Sequence, residues 1–140
     1  MMNQDRVLVI VKDIDRFFKD FECIQVKNVD DLKDKKEFYA TSMLLFSIIN
    51  RAIDLGEEIV ADKKIGLPTT YKDIFYLLEK NRIINKQLFE QLSSLIYFRN
   101  LAAHEYHTFT EKDVFTALKN INAVKIFVDI VKKIMSRQQK

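Results

Sequence analysis

Apolar residues recur at three- and four-residue steps along nearly the whole chain, the spacing of one face of an α-helix. Val7, Ile10, Val11, Ile14, Phe17, Phe18 and Phe21 form a first stripe, with Lys12, Asp13, Asp15, Arg16 and Lys19 on the wet side, and predict a helix over about residues 5–22. Residues 23–33 read as a connection, and Asp30, Asp31 and Asp34 are adequate helix-start residues. A long second helix is expected over about 34–61, its apolar side made of Phe38, Thr41, Leu45, Ile48, Ile49, Ala52, Ile53, Ile59 and Val60. Its apolar middle, Met43 to Ile49, suggests burial on more than one side. Gly56 interrupts it, and Asn50, Arg51 and Asp54 stand out as either a polar network inside a bundle or an ordinary wet face.

Gly66 and Pro68 mark a break over 62–70. Thr70 followed by Asp73 is a capping-type start for a short helix through about Asn81, with Tyr71, Ile74, Phe75 and Leu78 available for packing. Asn85 caps the next helix, in which Leu88, Leu92, Leu95 and Ile96 lead to Arg99 and Ala103, with Ile84 and Phe89 as flanking staple. Thr110, Asp113 and the pair Phe109/Val114 give the strongest local start signal, worth about 0.5–2 kcal/mol for the cap. One last helix is then expected through Val114, Leu118, Ile121, Val124, Val128, Val131 and Met135 to near the terminus. Its closing Lys132, Lys133, Arg137 and Lys140 suit a helix C-terminus and read as solubilising charge more readily than as an RNA-binding tail.

The pattern therefore predicts an all-α fold: four main helices and one short one in an antiparallel bundle, because each striped helix needs a partner for its apolar face. Composition agrees. Hydrophobic residues make up 48% of the 140 and charged residues 31%, while two glycines and one proline leave little for a loop-rich β fold. Nothing suggests a second domain or a repeat, so residues 1–140 are read as a single domain. Cys23 is the only cysteine, which excludes an intrachain disulfide. The apolar runs fall short of membrane-spanning length, and charges interrupt the N-terminal stretch where a signal peptide would need an apolar core, so a cytoplasmic protein without membrane contact is expected. A net charge of +3 permits a polyanionic partner without requiring one.

The uncommon chemistry is concentrated in Arg99-Asn100-Leu101-Ala102-Ala103-His104-Glu105-Tyr106-His107, which holds both histidines of the chain. Arginine clamps phosphate with a rigid fork of donors and histidine transfers protons near neutral pH, a pair suited to phosphodiester chemistry. On a regular helix Arg99 and His104 stand about 140° apart, so bringing them together within one chain requires a helix end or distortion near Ala103. The plain structural alternative is an Arg99 that caps carbonyls or pairs with Glu105, with His104 a satisfied buried histidine. His104 and His107 are one residue too close for the helical zinc motif, and no third strong ligand is evident, so neither metal nor cofactor is expected.

Arg99-Asn100, three residues, His104, one residue, Tyr106 resembles the signature of the HepT-like branch of the HEPN superfamily. The helix order, Phe38-Tyr39-Ala40-Thr41-Ser42 with Arg51-Ala52-Ile53, the Gly66-Leu67-Pro68 break and the short helix before Asn85 are similar to that family as well. The resemblance implies a HEPN-like homodimer, with room for a larger hetero-oligomer, acting as the ribonuclease toxin of a type VII toxin–antitoxin pair. Arg99 and His104 would be catalytic and Asn100 would support them. Tyr106 would be the hydroxyl modified with AMP by a small nucleotidyltransferase antitoxin. Where many members carry glycine between the histidine and the tyrosine, this chain has Glu105, which adds negative charge beside the expected RNA path. The chemistry implied is metal-independent attack of an RNA 2′-hydroxyl on the adjacent phosphorus. A different class of function, a non-catalytic helical interaction module or nucleotide-binding subunit of a nucleotidyltransferase, would leave the same motif without cleavage.

Overall fold

The computed structural model describes residues 3–105 and 108–138, and among these the regular structure is entirely helical. The helices are α1 (Gln4–Asp20), α2 (Lys35–Lys63), α3 (Tyr71–Lys80), α4 (Lys86–His104), α5 (Glu111–Asn120) and α6 (Asn122–Gln138), with short 3₁₀ turns at Phe21–Cys23 and Val29–Lys33.

The helix starts follow from side-chain caps that satisfy the first free backbone N–H groups. Asp34 Oδ1 accepts from the Lys36 N–H at 2.9 Å, Thr70 Oγ1 from that of Asp73 at 3.1 Å, Asn85 Oδ1 from that of Leu88 at 2.8 Å, and Thr110 Oγ1 from that of Asp113 at 3.3 Å. Asp73 and Asp113 reciprocate toward the backbone N–H of Thr70 and Thr110, completing the capping boxes expected there. α2 ends where Lys64 turns left-handed (φ 53°), and Gly66 follows at φ 152°, a conformation that favours glycine.

The bundle is built around α2, which packs against every other α-helix. Leu45, Ile48, Ile49, Ala52, Ile53, Leu55, Ile59 and Val60 are buried around much of its circumference. The expected many-sided burial is thus present, but it does not include Met43, which is 65% exposed. Gly56 has a packing role: a Cβ there would lie 2.7 Å from Ile74 Cγ2 and 3.3 Å from the Phe75 ring, so its missing side chain lets α3 lie close on α2.

The last helix differs from expectation. It is divided at Ile121 into α5 and α6. Asn120 and Asn122, weak helix formers, flank the break, and the Asn120 amide donates to its own Thr116 carbonyl at 3.1 Å. The bend keeps Ile121, Ala123 and Val124 all buried. Hydrophobic period alone misses it because both halves carry a good stripe.

Arg51 and Asp54, two of the three polar residues flagged in α2, belong to one network. The Arg51 guanidinium bonds Asp13 of α1 and reaches Asp54 at 3.1 Å, and the Asp13 bond is the main reason that it is held above the usual arginine range. Asn50 is turned elsewhere.

Candidate active site

Asn50 faces α4, where its Oδ1 accepts from Arg99 Nε at 2.8 Å. The guanidinium it holds lies 4.7 Å from the Tyr71 ring centroid and 5.4 Å from that of Phe46, and Arg99 Nη1 donates to Asn100 Oδ1 at 3.2 Å. Half-buried Arg99 is therefore fixed by two neutral acceptors, Asn50 and Asn100, and by two aromatic rings, Phe46 of α2 and Tyr71, the first residue of α3. Among the described residues it pairs with no carboxylate. Its charge remains available to an anionic ligand while its geometry is already set, and the ring contacts contribute about 0.5–2 kcal/mol.

Both plain alternatives for the motif fail on this geometry. Among the described residues Arg99 neither caps carbonyls nor pairs with Glu105, and His104 is exposed rather than buried. The helix distortion that would bring His104 to Arg99 is also absent. α4 continues through His104 and ends at Glu105 (φ −132°, ψ 45°), whose N–H donates to the Leu101 carbonyl at 2.8 Å. Five positions apart on a regular helix, Arg99 and His104 project about 140° from one another. The structure thus joins Arg99 with Asn100 and leaves His104 separate. Tyr106, the expected modification site, and His107 lie outside the described residues.

The segment after the motif is tied down. Thr108 donates to the Glu105 carbonyl from both N (2.9 Å) and Oγ1 (3.0 Å). Phe109 stacks on Phe38 at 5.4 Å and meets Phe98 edge-on at 5.8 Å, docking the chain against α2 and α4. Beside Arg99 lies a hollow of about 350 Å³, lined in part by Tyr71, Asn100 and Glu57. Glu57 is exposed, and partial desolvation, then the nearby Asp54 charge, pushes its carboxyl up from its ordinary value.

Sequence reading missed Asn50, Phe46 and Tyr71 as partners of Arg99. Asn50 was visible as a polar interruption of α2, but its partner lies 49 positions away, beyond any local pattern.

The model of the ribonuclease HepT-like family matches residues 8–131. The chain belongs to that family. Among its relatives, the mRNA nuclease HepT of Shewanella oneidensis is 23% identical over 128 residues, covering 89% of this chain and 96% of that protein. The tRNA nuclease HepT of Aphanizomenon flos-aquae is 31% identical over 100 residues, covering 71% and 67% respectively. Among solved structures, a tri-AMPylated Shewanella oneidensis HEPN toxin in complex with MNT antitoxin superposes with a TM-score of 0.66 at 22% identity, over 91% of each chain. This supports the all-α HEPN-like bundle. Among the described residues, no helix is long and apolar enough to cross a membrane.

Proposed function

We propose that this HepT-like chain is the endoribonuclease toxin of a toxin–antitoxin pair, acting in the cytoplasm as a single-domain protomer of a homodimer. The observation that carries the proposal is the preset Arg99, a half-buried cation held by Asn50, Phe46 and Tyr71 with no carboxylate among the described residues to neutralise it. Such a group fits a phosphodiester whose charge grows during reaction.

In the proposed reaction the 2′-hydroxyl gives its proton to one His104 while its oxygen bonds to phosphorus. The phosphorus–O5′ bond breaks and O5′ takes a proton from the second His104, leaving a 2′,3′-cyclic phosphate and a 5′-hydroxyl. Arg99 stabilises the pentacoordinate phosphate, and Asn100 steadies Arg99 through its 3.2 Å bond. The step uses no metal. A single His104 cannot serve as acid and base at once, so two copies of it meeting at a two-fold axis supply the pair. Each proton transfer contributes about 10²–10⁴-fold.

Control is assigned to Tyr106. A nucleotidyltransferase antitoxin adds AMP to its hydroxyl, putting bulk and negative charge on the same short motif that carries Arg99. The AMPylated toxin and its MNT antitoxin among the structural relatives support this reading. Intact-mass measurement after incubation with the cognate nucleotidyltransferase and ATP is expected to show added AMP on the wild type and none on Tyr106→Phe, which keeps its nuclease activity. AMP addition to Tyr106→Phe would contradict the assignment.

A further inference from the structure

The hollow beside Arg99 shares two side chains with it: Tyr71, whose ring lies against the guanidinium, and Asn100, whose carbonyl accepts from it. A ligand whose phosphate sits on Arg99 extends into this space. At about 350 Å³ the hollow lies at the small end of ligand clefts, a fit for one planar group rather than a folded segment.

Its polar atoms define what it accepts. Thr69 Oγ1 donates to Asp73 at 2.7 Å and Thr70 Oγ1 accepts from the Asp73 N–H at 3.1 Å, so both threonine hydroxyls serve the α3 cap. Asn100 Oδ1 is engaged by Arg99, which leaves its NH₂ as a donor. Glu57 makes no hydrogen bond or ion pair among the described residues; its neighbour Glu58 pairs with Arg6 instead. Desolvation already penalises the Glu57 charge. The exposed carboxylate has open acceptor positions for a donor-bearing ligand.

We infer that this hollow seats a nucleobase next to the cleaved phosphate, and that Glu57 selects a base carrying an exocyclic amine, guanine above all. The inference rests on the ribonuclease reading and adds substrate selection to it. A carboxylate repels the RNA backbone, so its place beside a phosphate-binding arginine suits reading a base edge. Guanine offers two adjacent donors, N1–H and N2–H₂, to the two carboxylate oxygens, and its O6 or N7 accepts from the Asn100 NH₂. Adenine and cytosine offer one amine each. Uracil offers a single N3–H between two carbonyls, which a carboxylate disfavours. Tyr71, 38% exposed, supplies an aromatic surface of the kind on which unpaired RNA bases stack.

The test uses fluorescently labelled 2′-O-methyl pentanucleotides, which lack the attacking hydroxyl, so binding is read independently of cleavage. Wild-type protein is expected to bind UUGUU about tenfold or more tightly than UUUUU, the size of a hydrogen bond to a charged group. Glu57→Gln, with folding confirmed by its thermal transition, is expected to bind the two within about twofold of each other. Equal binding by the wild type, binding of neither oligonucleotide, or a preference that survives Glu57→Gln overturns the inference. Cleavage of ordinary RNA by the wild type is scored separately: its absence alongside intact base discrimination counts against the ribonuclease reading and leaves the base pocket standing.

Discussion

Arg99 is the side chain on which the account turns, and its surroundings explain why, among the described residues, it is neither a cap nor half of a salt bridge. Asn50 fixes Nε with a neutral oxygen, at 2.8 Å, while Phe46 and Tyr71 limit where the plane can tilt. Asn50→Ala is expected to lower kcat for RNA cleavage by about 10- to 100-fold through misplacement of the guanidinium, with folding unchanged. Asn50→Asp keeps an acceptor but supplies a carboxylate that neutralises Arg99, so it is expected to recover little of that loss. An Asn50→Ala protein with wild-type kcat would show that the clamp has no catalytic importance. At this scale the sequence was half legible. The signature picked out Arg99, Asn100 and His104 from short spacing, whereas the clamp depends on contacts between distant helices that no local pattern encodes.

Among the elements, the starts of α2, α3, α4 and α5 were legible because each is written in residues within three positions of one another, as in Thr70 with Asp73. The division at Ile121 was not, since the apolar stripe continues across it and only two flanking asparagines mark it. Gly56 shows how a residue that weakens a helix locally strengthens a packed pair. Gly56→Ala removes a helix-propensity penalty of roughly 1 kcal/mol but drives its Cβ to 2.7 Å from buried Ile74. Overpacking of about 1–3 kcal/mol is expected to win, so the variant should unfold at lower urea concentration than the wild type. An equal or higher midpoint would mean that α3 shifts away from α2 at little cost.

At the scale of the whole molecule, α2 is both the core of the bundle and the support of the site. Its outer side carries Tyr39 and Met43, 63% and 65% exposed, at helical spacing from Phe46 and Asn50, which hold Arg99. Tyr97 on α4 is 68% exposed. The proposed homodimer would give this surface a partner and would bring together two copies of His104, which lies about 140° around α4 from Arg99 in one chain. Met43→Glu, at an exposed position, is expected to keep the helical fold, sediment as a monomer and lose RNA cleavage. A monomeric variant that cleaves normally would contradict the composite site. The all-helical bundle was legible from periodicity alone, but pairing between copies is not written in any one chain's stripe.

The most direct measurement is cleavage of a structured RNA in the presence of EDTA by the wild-type protein and by folded His104→Ala, with chemical identification of the product ends. The account predicts 2′,3′-cyclic phosphate and 5′-hydroxyl ends from the wild type and no cleavage by His104→Ala. Cleavage that appears only with magnesium and leaves 3′-hydroxyl ends, or that persists in His104→Ala, would contradict it.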